Sequence, residues 1–163
     1  MITRRRLVMG GAAGLAVACA SSWRTAAPNA AAAFEVTHRD AEWRKLLTPD
    51  QYAVLRREAT ERPFTSPLLH EARRGTFACV GCQLDLFSST TKFDSHTGWP
   101  SFWAPLEKAV ITARDMSFGM DRTAVSCRRC GGHQGHVFDD GPKPTGLRYC
   151  INGVALIFKP AAS

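Results

Sequence analysis

Two C-x-x-C pairs, Cys79-Val80-Gly81-Cys82 and Cys127-Arg128-Arg129-Cys130, stand 44 residues apart. Each pair can set two thiolates on a tight knuckle, and two knuckles complete a tetrahedral site suited to zinc. Gly131 follows the second pair with the backbone freedom such a turn needs. Three other readings stay open at this point. Each pair could form a redox disulfide, two long disulfides could join the knuckles, or Cys127, Cys130, His133 and His136 could make one local metal site. In the four-cysteine reading, the metal clamps the segment around Gly75 to the segment around Gly131 and adds folding free energy.

Cys150 stands apart from these pairs, in Leu147-Arg148-Tyr149-Cys150-Ile151-Asn152-Gly153. If this is a strand, its period of two puts Arg148, Cys150 and Asn152 on one face and turns Tyr149 and Ile151 into the core. An arginine two residues away is expected to favour the reactive thiolate. The competing reading is a buried, inert cysteine, with Asn152-Gly153 as a hairpin turn. His133-Gln134-Gly135-His136 adds two groups able to give up a proton near neutral pH. One surface and one core histidine would look the same. Gly98-Trp99-Pro100-Ser101-Phe102-Trp103 adds an aromatic loop, in which Trp99 either packs into the core or walls an apolar pocket.

The chain that must position these residues has 163 of them, 45% hydrophobic and 21% charged. That is a globular composition, long enough for one domain with a real core. It excludes extended repeats, coiled-coil heptads and a polytopic membrane protein. The net charge of +7 is unevenly spread. Residues 1–33 hold Arg4, Arg5, Arg6 and Arg24 without an acid, leaving 17 basic and 14 acidic side chains in the remainder. A net charge of +3 there argues against a nucleic-acid partner. The arginine run before Leu7, the uncharged stretch Met9–Ala20 and the alanines up to Ala33 read as an export signal of twin-arginine type. The expected destination is the periplasm, with cleavage after Ala33 and no stable membrane span in the mature chain. Lipid anchoring through Cys19 is the alternative.

Residues 34–163 are expected to form a single domain. The stretch Asp40–Glu61 has helical spacing, with Thr48 as N-cap, Pro49 at the first helical position and Gln51 completing a capping box. Pro63 and Pro67 are expected to end it. From Gly75 the pattern changes to short runs at 76–78, 84–87, 110–112, 123–126 and 156–158, separated by Gly, Pro, Asp and Asn. The fold class expected from these runs is mainly β, an antiparallel domain with a short helical N-terminal arm packed on it.

Taken together, Glu61-Arg62-Pro63-Phe64, Cys79-Val80-Gly81-Cys82, Lys92-Phe93-Asp94-Ser95, Gly98-Trp99-Pro100-Ser101-Phe102, Gly135–Pro142 and Pro144–Asn152 resemble the B-type peptide-methionine (R)-S-oxide reductase family. The resemblance covers roughly Asp40 to Pro160. It implies two antiparallel sheets with a structural zinc on Cys79, Cys82, Cys127 and Cys130, opposite the active site. Cys150 would be the nucleophile and pass through a sulfenic acid. His133 and His136 would help protonate the sulfoxide oxygen, Arg148 and Asn152 would line the site, and Trp99 would receive the S-methyl group. The implied substrates are oxidised proteins or peptides bearing methionine sulfoxide, and the implied reductant is thioredoxin-like or another thiol. One position departs from the pattern: Thr97 stands where many members carry a resolving cysteine. Two rival functions are a non-catalytic zinc-binding module and a disulfide oxidoreductase working through a C-x-x-C pair.

Overall fold

A computed structural model describes residues 34–162. The signal assigned to residues 1–33, its cleavage point and Cys19 lie outside them. Two helices, α1 (Asp40–Leu46) and α2 (Pro49–Arg57), precede nine strands. The sequence pattern suggested one helical stretch from Asp40 to Glu61, and the structure breaks it twice. Proline disfavours helical backbone in the residue before it, so Leu47 and Thr48 are extended ahead of Pro49. Thr48 then caps α2 as expected, accepting from the Gln51 N–H while the Gln51 side chain returns to the Thr48 N–H. Glu58 closes α2 in the left-handed conformation at φ 56°. That ending frees Glu61 to serve the site described below.

The strands form two antiparallel sheets. The smaller has the order β2 (Asp85–Ser88), β1 (Gly75–Cys79), β9 (Leu156–Pro160). The larger has the order β3 (Lys92–Phe93), β4 (Ser101–Phe102), β8 (Arg148–Ile151), β7 (His133–Phe138), β6 (Arg122–Cys127), β5 (Val110–Asp115). Phe77 and Phe87 from the first sheet meet Phe102 from the second, with ring centroids 5.0 and 4.4 Å apart. All three rings are fully buried and anchor the core between the sheets. Trp43 of α1 and Leu55 of α2 join the same core. No helix among the described residues is long and apolar enough to cross a membrane.

The five expected runs fall in strands, save that Leu84 precedes β2 by one residue, and β8 adopts the expected strand at 148–151. Asn152-Gly153 makes no hairpin: Asn152 precedes a 3-10 turn at Gly153–Ala155. Strand β7 carries no clean alternation because it is bulged. Val125 of β6 pairs with Gly135, but the next residue, Ser126, pairs with His133, so β7 holds one extra residue. Gly135 sits at φ 155°, and a Cβ there would lie 2.1 Å from the Cys150 carbonyl oxygen. A side chain cannot replace glycine at this position.

Candidate active site and metal centre

Paired residues in an antiparallel ladder share a face. Cys150 pairs with His136 on one side and Ser101 on the other. His136 pairs with Ala124, and Asp115 pairs with Arg122 two residues before it. In a regular strand, His133 and His136 would project from opposite faces because they are three apart. The extra residue in β7 shifts His133 opposite Ser126, which shares the face of Ala124. Both histidines therefore reach the face of Cys150, with their ring centroids 5.3 Å apart.

Asp115 was not anticipated as a site residue. Its carboxylate lies 2.8 Å from Nε2 of His136 and also accepts from Arg122 at 2.7 Å. The Ser117 hydroxyl and backbone N–H, with the His136 imidazole, hold this carboxyl well below the usual carboxylate range. It is thus an anion ready to pair with a protonated His136. His133 behaves differently. It is 4% exposed. Burial, with His136 adding to it, lowers its pKa to about 4, and its Nε2 has no partner among the described residues. His133 is therefore a neutral imidazole near pH 7, whereas His136 is the histidine that meets a carboxylate.

This burial predicts a pH effect on stability. Between about pH 6.5 and 4 the unfolded chain takes up a proton that folded His133 refuses, so its contribution is complete above 6.5 and fades as pH falls towards 4. The loss is on the order of 3 kcal/mol at most. Urea midpoints compared at pH 6.5 and 5 should fall less in His133→Gln than in the natural protein. An equal fall in both would exclude His133 as the source.

Arg148 binds Asp140 through two parallel hydrogen bonds of 2.8 and 2.7 Å and lies 4.4 Å from the Phe138 ring centroid. Arg148 pulls Cys150 towards the thiolate, as expected, but burial outweighs it. Burial raises the thiol pKa, and the Thr97 hydroxyl and Arg148 offset that only in part. The cysteine is partly desolvated, and the arginine charge is shared with Asp140. Thr97 does lie beside Cys150, with Oγ1 3.8 Å from Sγ.

Trp99 is half-buried, and its indole N–H donates to the Glu61 carbonyl at 3.1 Å. Glu61 is a second residue that sequence reasoning did not single out, although it opens one of the motifs. Its N–H donates to Asn152 Oδ1 at 3.0 Å, and its carboxylate accepts from the N–H groups of Gly153 and Val154. Asn152 donates from Nδ2 to the Gln134 carbonyl at 3.0 Å. Asn152 is 3% exposed, so both ends of its amide are spent on backbone, tying the Trp99 support to β7. Burial raises the Glu61 pKa against the two N–H groups it caps.

The sulfurs of Cys79, Cys82, Cys127 and Cys130 all lie within 4.8 Å of one another. Cys79 ends β1 of the small sheet and Cys127 ends β6 of the large one, so the cluster ties the sheets together. Contacts of 3.7 Å (Cys79–Cys130) and 3.5 Å (Cys82–Cys127) are far too long for disulfides. They match the edge of a tetrahedron with metal–sulfur bonds of about 2.3 Å, which is about 3.8 Å. Hydrogen bonding among the crowded sulfurs pushes Cys79 and Cys130 up and pulls Cys82 and Cys127 down. Four thiolates so close need a cation, and the donor set fits zinc. Neither histidine is part of this cluster. The Gln134 amide reaches Cys79 Sγ at 3.4 Å from the bulge.

A family model described as SelR domain matches residues 47–160. A protein of Pseudomonas putida (strain W619) named peptide methionine sulfoxide reductase MsrB is 60% identical over 120 residues, 73% of this chain and 90% of that protein. Proteins of the same name from Agrobacterium fabrum and Bradyrhizobium diazoefficiens are 51% and 55% identical over 127 residues. Those alignments cover 77% of this chain and 94% and 91% of the relatives.

Proposed function

Since the chain belongs to the MsrB family and carries a SelR domain, we propose that it reduces methionine (R)-S-oxide in oxidised proteins to methionine, using Cys150 as nucleophile. One observation carries this reading: His136, backed by the anionic Asp115, sits directly across the ladder from Cys150. A sulfoxide sulfur accepts a nucleophile only when its oxygen is protonated or strongly hydrogen-bonded. His136 spends Nε2 on Asp115, which leaves Nδ1 to meet the substrate.

Cys150 gives its thiol proton to His136, and the resulting thiolate attacks the sulfoxide sulfur while His136 passes that proton to the oxygen. The S–O bond of the substrate breaks, the oxygen passes to Cys150, and methionine leaves. Cys150 is oxidised by two electrons to a sulfenic acid and the sulfoxide is reduced by two. A first external thiol converts the sulfenic acid to a mixed disulfide with loss of water. A second thiol releases Cys150 and forms the donor disulfide. Thioredoxin-like proteins or small dithiols fit this role. The partnerless buried Nε2 of His133 is a second group able to bond the oxygen, while Trp99 offers an apolar wall for the methyl group. Oxygen site and methyl wall together would read the chirality at sulfur. Arg148 and Asn152 hold the frame of the pocket through Asp140 and Glu61.

Zinc on the four-cysteine cluster would cross-link the sheets and take no part in these steps. The signal read in residues 1–33 would place the repair reaction in the periplasm. Its test is the location of the mature chain after replacement of Arg4 and Arg5 by lysine.

The function is tested by presenting each sulfoxide epimer separately, with dithiothreitol as reductant. Reduction of the R epimer alone is expected. Without reductant, about one methionine per chain should form, leaving a Cys150 sulfenic acid that a dimedone reagent captures. Turnover of the S epimer, or none of either, would overturn the assignment.

A further inference from the structure

Cys150 is the end of a chain of hydroxyl groups. Its sulfur contacts Thr97 Oγ1 at 3.8 Å, Thr97 contacts Ser95 Oγ at 2.8 Å, and Ser95 contacts Ser101 Oγ at 2.7 Å. The Ser101 hydroxyl reaches the Trp99 carbonyl at 3.1 Å. Ser101 is fully buried, and Ser95, Thr97 and Cys150 are all partly buried.

The direction of this chain is fixed at one end. A carbonyl accepts only, so Ser101 donates to Trp99. Ser95 must then donate to Ser101, and Thr97 to Ser95, across the short oxygen–oxygen contacts. The thiol hydrogen of Cys150 completes the fourth link by donating to Thr97. Four links and four hydrogens match only while Cys150 is protonated. A thiolate leaves the chain one hydrogen short. The Thr97 hydrogen is the one that can move, because a bond to an anionic sulfur is charge-assisted and the resting contact to neutral sulfur is long.

We propose that Ser95, Thr97 and Ser101 form a hydroxyl relay that holds Cys150 as a thiol at rest and turns the Thr97 hydrogen onto the sulfur when the thiolate forms. Thr97 touches the reacting atom. Ser95 is a positioning residue, since it acts by competing for the Thr97 hydrogen. The relay delays ionisation until substrate brings His136 into play, which protects a cysteine that has no resolving thiol beside it from idle oxidation. The same donor would then stabilise the sulfenate.

Other charged or titratable groups surround Cys150. Arg148 lies on its own strand with Asp140 bound to it. His136 lies across on β7 with Asp115 and Arg122 behind it, and His133 lies further along β7. Asp94 and His96 form an exposed pair on the loop carrying Thr97. Strand β4 presents only the neutral Ser101. All of them remain in the variants below, so differences among the variants report the relay.

The inference rests on Cys150 being the nucleophile, and its test uses no sulfoxide. Iodoacetamide alkylation of Cys150 is followed against pH in the metal-loaded protein, reading the Cys150 peptide by mass spectrometry. Thr97→Val keeps the volume but removes the donor, so the alkylation midpoint should move up and the rate at neutral pH should fall about tenfold. Ser95→Ala frees the Thr97 hydrogen, so the midpoint should move down and the neutral rate should rise about threefold. Thr97→Ser should restore the natural profile. Opposite shifts support the relay; shifts in one direction, in one variant only, or in neither overturn it. A protein that shows the opposite shifts but reduces no sulfoxide would retain the relay and lose the functional reading.

Discussion

Serine in place of Cys150 is expected to reduce sulfoxide turnover by about 10^4-fold or more while fold and metal content survive. Oxygen transfer needs a sulfur that can carry the oxygen as a sulfenic acid, and a hydroxyl has no such oxidation state to enter. Among the described cysteines, Cys150 alone lies outside the metal cluster. Its sulfur is not one of the four clustered sulfurs, so removing it takes no ligand away. The variant should show the natural zinc content, the natural unfolding midpoint and no methionine above background. Turnover within tenfold of the natural protein would move the chemistry to a cluster cysteine. It would also give the cluster a redox role that the proposed mechanism denies it.

Serine in place of Cys127 should have the opposite signature. The ligand lost is fully buried at the end of β6, where it meets a knuckle from the other sheet. Three crowded thiols would remain without the cation that compensates them. Structural zinc binding is worth about as much as the whole net stability of a domain, on the order of 5–15 kcal/mol. Metal analysis should find less than one zinc per several chains, and cooperative unfolding should be lost or begin at room temperature. Full stability without metal would show that hydrophobic packing alone joins the sheets. Stable disulfides within the two C-x-x-C pairs of native protein would replace the zinc reading altogether.

The elements legible in the sequence were those with a local cause. Thr48, Pro49 and Gln51 spell a helix start, and it forms as written. The C-x-x-C knuckles converge because each is a short turn at a strand end, and the runs at 76–78 and 123–126 identified those strands. What escaped was set by register. No local pattern says that Asp115, the last residue of β5, will lie opposite His136 two strands away. The two-residue strands β3 and β4 are too short for any periodicity to register, yet β4 carries Ser101 to the side of Cys150. Glu61 looked like the end of a helix, and its actual task depends on α2 stopping early at Glu58. The net state of Cys150 escaped for a related reason, although the direction of the Arg148 effect was legible. Spacing reveals a neighbouring charge but not the burial that outweighs it.

A two-residue period makes strand β7 a matter of reading phase, in which length counts for more than spelling. Loss of a single residue between His133 and His136 would return the strand to regular pairing, which places two histidines two apart on one face as well. The histidine pair could therefore survive a shorter strand. What could not survive is the residue left over: Gln134 exists as a surplus position, and from it a side chain crosses to Cys79. The odd spacing thus buys a link between the reacting face and the metal cluster that a regular strand has no residue to make. Over evolutionary time, substitutions along β7 would be sampled singly and judged one by one. A deletion there would be judged at both centres at once, and the three-residue interval should outlast the identity of the residues inside it.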